Sequence, residues 1–313
     1  MADRDRAVAG GYELVASFFT LTGSGFGQPP RHSFTARCEA AADAGFTGIG
    51  LHVDDLPRTV AAGLDVPGMQ AVLARTGLRV VEIEFLGGWA LPDSDPAELD
   101  ALVNRIEAVA DAFGGRHVST GEFRGPAAPG DRLDLDAAAG RLAALADRLA
   151  ERDLLLAVEG FPWSVLAGPD TAADLVRRTR SANVGQLVDI WHYLTNGGDP
   201  AALAGPVAAV QLNDGPRVED DFLTHARAAR RLPGEGELDV VGLIRAVLHT
   251  GFTGPWCVEV NTPEFRSLPI EQAAAQAARA ARAVLTAAGA PPAAPAPSSD
   301  GPRRLAPISR ENA

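Results

Sequence analysis

The chain has 313 residues and a net charge of -12 at pH 7, which argues against nucleic acid and anionic membrane surfaces as partners. Lysine is absent, so all positive side-chain charge at neutral pH is arginine, and a Schiff-base lysine is excluded. A hydrophobic content of 46% and a charged content of 22% are ordinary for a globular protein with one large core.

The first ten residues are polar, and no apolar run approaches the roughly 20 residues that a membrane helix needs. Cys38 and Cys257 both lie in apolar segments, which argues against a disulfide framework. These features predict a cytoplasmic protein.

Short apolar segments alternate with longer helical segments along most of the chain, a pattern typical of an α/β fold. Eight segments are predicted strands: residues 14–19, 47–51, 79–85, 116–120, 154–159, 184–189, 207–212 and 256–260. The clearest predicted helices are residues 96–113, 136–151 and 239–249. The alternation predicts a single (β/α)8 TIM barrel over residues 13–287.

Two terminal segments do not fit the barrel pattern. Residues 1–12 are predicted to be a flexible tail, and residues 288–313 are predicted to be a disordered tail rich in proline and alanine. The longest polar connection follows residue 212, and long loops inside compact domains are usually functional.

Polar side chains end the last four predicted strands: Glu159, Asp189, Gln211 and Glu259. The active site of a barrel is built at these strand ends. One such acid could simply cap a loop, but three buried acids close together would repel each other unless a cation holds them. An oxygen-only ligand set predicts one divalent metal ion, Mn²⁺ or Mg²⁺, rather than Zn²⁺.

The order of motifs in the second half of the chain is specific. A glutamate after strand five is followed by Asp-Ile-Trp-His at residues 189–192, then by VQLND, GEGELD and GPWCVEV. Over residues 14–287 this resembles the xylose isomerase-like TIM barrels of the sugar phosphate isomerase/epimerase superfamily. The resemblance implies four metal ligands: a glutamate on strand five, an aspartate on strand six, a histidine or sometimes a glutamine on strand seven, and a glutamate on strand eight. These positions fall on Glu159, Asp189, Gln211 and Glu259.

Gln211 stands where many sugar epimerases of this superfamily carry histidine, and in this it is similar to the bacterial 3-dehydroshikimate dehydratases. The resemblance further implies that His192 contacts a substrate oxygen and that an arginine soon after strand seven, Arg217, clamps the substrate. His192 could instead be a structural histidine, and Arg217 could be a solvated loop residue paired with local acids.

Three more residues are candidates for substrate binding. His52 and Glu84 lie at the ends of strands two and three and face the predicted mouth of the barrel. Trp191 lies in a βα connection and forms either an apolar wall for a substrate or part of the core.

The resemblance implies a metal-dependent isomerase or epimerase that acts on a keto-sugar, sugar or cyclitol. It would remove a proton next to a metal-chelated carbonyl, with Glu159 or Glu259 transferring the proton and His192 as polar partner or alternative base. If a leaving group departs, the enzyme is a lyase, either 3-dehydroshikimate dehydratase-like or β-eliminating on a keto-glycoside.

The same fold admits two other functional classes. A DNA-repair endonuclease of the same fold is disfavoured, because those nucleases use extra histidine ligands for three metals and this chain is acidic. A non-catalytic binding barrel is also compatible with the pattern, as is a homo-oligomer. The preferred ligand is a small polyhydroxylated carbonyl compound.

Overall fold

A computed structural model describes residues 11–126, 132–293 and 305, so most of the two predicted tails lies outside the described residues. Eight parallel strands pair in chain order, and the last strand closes onto the first. The predicted (β/α)8 TIM barrel is therefore confirmed. No helix within the described ranges is both long and apolar enough to cross a membrane.

The strands agree closely with the sequence prediction. They are β1 Leu14–Ala16, β2 Gly48–His52, β3 Arg79–Leu86, β4 His117–Thr120, β5 Leu155–Val158, β6 Val184–Asp189, β7 Val207–Leu212 and β8 Trp256–Val258. The strand predicted for residues 14–19 was too long. The chain turns away after Ala16, because the Ser17 hydroxyl and the Phe18 backbone N–H both donate to Oε1 of Glu84, at 3.0 and 3.2 Å.

Helices surround the barrel and alternate with its strands. They are α1 Phe18–Leu21, α2 Phe34–Asp43, α3 Asp55–Ala61, α4 Val66–Thr76, α5 Pro96–Phe113, α6 Leu135–Ala150, α7 Pro169–Thr179, α8 Ile190–Thr195, α9 Phe222–Ala228, α10 Val240–His249, α11 Pro263–Ser267 and α12 Ile270–Ala288. A 3₁₀ turn spans Pro200–Ala202.

Aspartate caps set the starts of the predicted helices. Asp95 accepts hydrogen bonds from the backbone at the start of α5, and Asp239 accepts one from Gly242 N at the start of α10. Asp239 is thus the cap and not the first helical residue of α10. The main apolar core comprises buried side chains of the strands and of the helices that pack around them.

Candidate active site

One cavity of about 280 Å³ lies at the carboxyl ends of the strands. Its walls are formed by Phe19, Phe26, Gly27, His52, Glu84, Phe85, Ser119, Phe123, Glu159, Phe161, Trp163, His192, Gln211, Leu223, Ala226, Arg227, Arg230 and Glu259. Three of the four predicted metal ligands line this cavity, and the fourth, Asp189, borders an adjacent smaller one together with Glu159 and His192.

Glu159 and Glu259 directly follow β5 and β8. Their backbone N–H groups continue the strand ladder, Glu159 to the Thr120 carbonyl at 2.8 Å and Glu259 to the Leu212 carbonyl at 3.1 Å. Both side chains are buried, at 5% and 6% exposure. The sheet therefore fixes where these two carboxylates enter the site.

Asp189 ends β6 and caps α8. Its Oδ1 accepts from His192 N at 2.9 Å, and its Oδ2 accepts from Asn213 Nδ2 at 2.7 Å. Because His192, the residue that Asp189 caps, lies in the first turn of α8, the Asp-x-x-His spacing brings the side chains of Asp189 and His192 to the same site. Ligand atoms of Glu159, Asp189 and His192 all lie within 4.8 Å of one another.

Gln211 is held in one orientation by Glu82. Its Nε2 donates to Glu82 Oε1 at 3.1 Å, and Glu82 also accepts from the Ser119 hydroxyl at 3.2 Å. Gln211 Oε1 is buried and has no hydrogen-bond partner among the described residues. This leaves the amide oxygen, the better metal ligand, as the free atom.

Gly50 allows Glu82 to occupy this position. A Cβ at residue 50 would lie 2.8 Å from Glu82 Oε2 and 2.8 Å from Phe18 N. Glu82 lies on β3 two residues before Glu84, and both carboxyls reach the interior as strand alternation predicts. Glu82 lies beside Gln211, whereas Glu84 lines the cavity.

Arg230 is the functional residue that sequence reasoning missed. Its guanidinium is buried, and Nη1 donates to Asp189 Oδ2 at 2.9 Å and to Glu259 Oε2 at 2.5 Å. Its Nη2 donates to Nε2 of His192. Arg230 thus connects Asp189 at the end of β6, His192 on α8 and Glu259 just after β8.

The loop that carries Arg230 is fastened by Asp214. The Asp214 carboxylate accepts backbone N–H bonds from four residues: Gly215, Gly234, Gly236 and Leu238. A Cβ at residue 236 would lie 2.1 Å from Asp214 Oδ1, so this position needs glycine. The backbones of Asp214 and Arg231 also exchange two hydrogen bonds, each N–H donating to the other residue's carbonyl. This pairing places the neighbouring Arg230 in the site.

The structure does not bring every predicted substrate residue to the cavity. Arg217 is exposed and does not line it, and its backbone N–H donates to Glu237 Oε2 at 3.3 Å. Trp191 is fully buried and packs beside Gly215, so it belongs to the core. Neither residue lines the cavity, whereas His52 and Glu84 do.

The acids of the site hold their protons unusually tightly. Burial, reinforced by the charges of Asp189 and Glu259, raises the pKa of Glu159 well above its usual value. Burial raises the pKa of Glu259 to about 7, and burial together with the nearby Glu82 and Glu259 raises the pKa of Glu84 well above its usual value.

His192 behaves in the opposite sense. Burial lowers the pKa of His192 to about 3, so its imidazole is neutral at physiological pH. Since Arg230 can only donate, His192 Nε2 accepts and the ring proton lies on Nδ1. The low pKa makes His192 a weak base, and its Nε2 lone pair already accepts from Arg230, so the role of polar partner is favoured over that of base.

The donor set fits a hard divalent cation. Three buried carboxylates, those of Glu159, Asp189 and Glu259, face a single guanidinium, and the free Gln211 oxygen adds a neutral donor. Excess buried negative charge is costly unless protons or a cation balance it. Carboxylate and amide oxygens are the ligands that Mg²⁺ and Mn²⁺ prefer.

Comparison with known proteins agrees with this fold. Residues 38–285 match the family described as xylose isomerase-like TIM barrel. The chain belongs to this family.

Individual relatives add detail. A 3-dehydroshikimate dehydratase from Pseudomonas aeruginosa is 35% identical over 130 residues, which are 40% of this chain and only 20% of that protein. The matched region thus spans about a fifth of the dehydratase.

Among solved structures, the IOLI protein with a bound zinc atom has a TM-score of 0.76 at 16% identity, over 88% of this chain and 98% of the other. A xylose isomerase-like TIM barrel protein from Mycobacterium smegmatis in complex with magnesium has a TM-score of 0.59 at 19% identity, over 88% and 97%. At these identities the likeness shows the fold alone.

Proposed function

We propose that the protein is a divalent-metal-dependent lyase that removes the proton next to a substrate carbonyl and expels a β-hydroxyl as water. The observation that carries this proposal is the pairing, in one cavity, of an oxygen-donor cluster with a separate buried acid, Glu84, whose pKa burial raises. The relative named 3-dehydroshikimate dehydratase supports the same class of reaction.

Glu159, Asp189, Gln211 and Glu259 would hold the metal ion, Mn²⁺ or Mg²⁺. When bound, the ion polarises the substrate carbonyl and so acidifies the adjacent carbon. Glu159 and Glu259 are the candidate bases, because burial raises the pKa of Glu159 well above its usual value and that of Glu259 to about 7, near the range where a base works best. Arg230 contributes an N–H donor to Glu259, and His192 accepts a hydrogen bond from the same guanidinium.

Glu84 would serve as the acid for the departing hydroxyl. Its Oε1 accepts hydrogen bonds from Ser17 Oγ and Phe18 N, so a proton on this carboxyl would be carried by Oε2, the oxygen that lacks these two donors. Burial and the nearby Glu82 and Glu259 raise the pKa of Glu84 well above its usual value, which favours the protonated form that an acid catalyst needs. The site therefore offers a base and an acid on different strands.

A metal-dependent isomerase or epimerase is the second candidate. Glu159 and Glu259 both line the cavity with raised pKa values, so one could remove a proton while the other returns it to a different face or carbon. This reaction would keep the mass of the substrate.

The test is incubation of the Mn²⁺-loaded protein with 3-dehydroshikimate, inososes and keto-sugars in D₂O, followed by mass spectrometry. Loss of one water supports the lyase, and deuterium uptake into a product that has lost no water supports the isomerase or epimerase. Glu84→Gln should block water loss while still allowing exchange of the acidified proton. Absence of both turnover and deuterium exchange across the panel would contradict proton abstraction.

A further inference from the structure

Much of the wall of the cavity is apolar and aromatic, beyond what a metal site requires. The rings of Phe85, Phe123, Phe161 and Trp163, which we call the aromatic arc, lie at the end of β3 and in the loops after β4 and β5, around the mouth. Phe26, in the connection between α1 and α2, supplies a further ring to the same cavity.

The rings of the arc contact one another in sequence. Ring centroids are 4.6 Å apart for Phe85 and Phe123, 5.0 Å for Phe123 and Phe161, and 5.2 Å for Phe161 and Trp163. The last two pairs are nearly parallel, with interplanar angles of 16° and 13°. The arc is therefore a continuous surface of ring faces and edges, which suits another flat ring.

This surface is exposed to solvent at its outer end. Among the described residues, three large apolar side chains are exposed: Val60 at 44%, Phe123 at 54% and Leu223 at 37%. Two of these three, Phe123 and Leu223, line the cavity. Clustered apolar exposure marks a surface that binds a partner or ligand.

We propose that the substrate carries a flat apolar substituent, such as an aryl ring, that stacks on the aromatic arc. Its carbonyl and hydroxyl would lie at the acid cluster, by which we mean Glu159, Asp189 and Glu259 together with Gln211. This inference rests on the proposed function, because the acid cluster supplies the position of the reacting end. The substrate class is thus an aryl-bearing hydroxycarbonyl compound.

A fully polar sugar suits the arc less well. The side chains of Phe85, Phe123 and Phe161 carry no group that can donate to or accept from a hydroxyl. Hydroxyls buried against them would lose hydrogen bonds to water without replacement, which costs free energy, whereas an aryl ring has no such bonds to lose. The arc therefore favours an aryl ring over a sugar, because only the sugar loses hydrogen bonds to water when it binds.

Two small probes separate the arc from the metal site. Hydroxyacetone and 2-hydroxyacetophenone share the same chelating hydroxycarbonyl end and differ only in a methyl or a phenyl group. Titration calorimetry with Mn²⁺-loaded protein should show about tenfold tighter binding of the phenyl compound. Phe123→Ala should reduce this preference at least about threefold, and Val60→Ala, at a similarly exposed apolar side chain elsewhere, should leave it unchanged.

The outcomes are distinguishable. Equal affinity of the two probes, or an unchanged preference in Phe123→Ala, overturns the aryl inference but leaves the metal-dependent reaction standing. If neither probe binds more tightly with Mn²⁺ than with EDTA, the proposed metal chelation itself is overturned. A phenyl preference that requires Mn²⁺ and falls in Phe123→Ala supports both.

Discussion

The mouth of the barrel has two unlike regions, the acid cluster at the ends of β5 to β8 and the aromatic arc at the end of β3 and in the βα loops after β4 and β5. The acid cluster is buried, and hydrogen bonds to strands and to Arg230 fix its side chains. Phe123, at the outer end of the arc, is exposed, and its ring contacts those of Phe85 and Phe161. The proposals above thus assign the chemistry to the buried strand ends and the choice of substrate to the more exposed arc.

The strongest test of this division is removal of a ligand from the acid cluster. Glu159→Gln or Glu259→Gln should lower Mn²⁺ affinity more than about 100-fold and turnover more than about 1,000-fold, because a charged oxygen donor is lost. Elemental analysis and calorimetry would measure the metal content and affinity.

The matched control is Glu98→Gln, which removes an exposed acid at the start of α5. It should leave metal binding and turnover unchanged. Full metal content in Glu159→Gln and Glu259→Gln would show that the acid cluster is not the metal site, and the division between the two regions would then fail.

The next largest effect concerns Arg230, the counter-ion of the acid cluster. In EDTA, Arg230→Ala should lower the free energy of unfolding by about 3–5 kcal/mol, because Asp189 and Glu259 lose their buried partner. Mn²⁺ should restore most of this loss, since a cation replaces the missing charge. Thermal melts with and without Mn²⁺ would measure both effects.

Arg227→Ala is the control for Arg230, because Arg227 lines the same cavity but is exposed. Its melting temperature should match that of the unaltered protein in both conditions. An equal loss of stability for Arg230→Ala with EDTA and with Mn²⁺ would mean that Arg230 does not balance the charge of a metal site.

The barrel itself could be predicted from the sequence because each strand is a short apolar run between turn residues. β6 and β7 match their predicted bounds at both ends. The four strand-end ligands were found for the same reason, since the register of a parallel barrel aligns the carboxyl ends of consecutive strands. Their assignment as metal ligands remains a prediction.

Residues delivered by long-range loop geometry could not be predicted in this way. Arg217 is the predicted substrate contact because it follows β7 closely, but the chain lines the cavity later, from Leu223 to Arg230. The sequence shows the VQLND and GEGELD motifs, but not that Asp214, the last residue of VQLND, binds the backbone of GEGELD. Strand alternation likewise places Glu82 on the same face as Glu84, without any sign that Glu82 orients Gln211.

That orientation gives a smaller, more specific prediction. Glu82→Gln should lower Mn²⁺ affinity about tenfold, because the Gln211 amide loses its charged acceptor and no longer presents Oε1 consistently. A double-mutant cycle with Gln211→Ala distinguishes positioning from simple charge. If Glu82 acts through Gln211, its effect disappears in the Gln211→Ala background, whereas persistence of the full tenfold loss would exclude positioning.

The smallest expected effect is a dependence of stability on pH that belongs to the acid cluster. Burial raises the pKa of Glu259 to about 7 and that of Glu159 well above its usual value, so these two carboxyls bind more protons in the folded metal-free protein than in the unfolded chain between about pH 4.5 and 7. Their contribution to the free energy of unfolding should therefore fall as pH rises from 4.5 to about 7, opposite in sign to the contribution of His192, whose pKa is lowered.

Mn²⁺ competes with these protons, so the rise in melting temperature on adding Mn²⁺ should be larger near pH 7.5 than near about pH 5.5. Thermal melts across this range, with and without EDTA, measure the difference. Phe123→Ala alters only the aromatic arc and should keep the same pH profile, whereas Glu259→Gln should flatten it. A profile that is unchanged in Glu259→Gln would place the titrating groups outside the acid cluster.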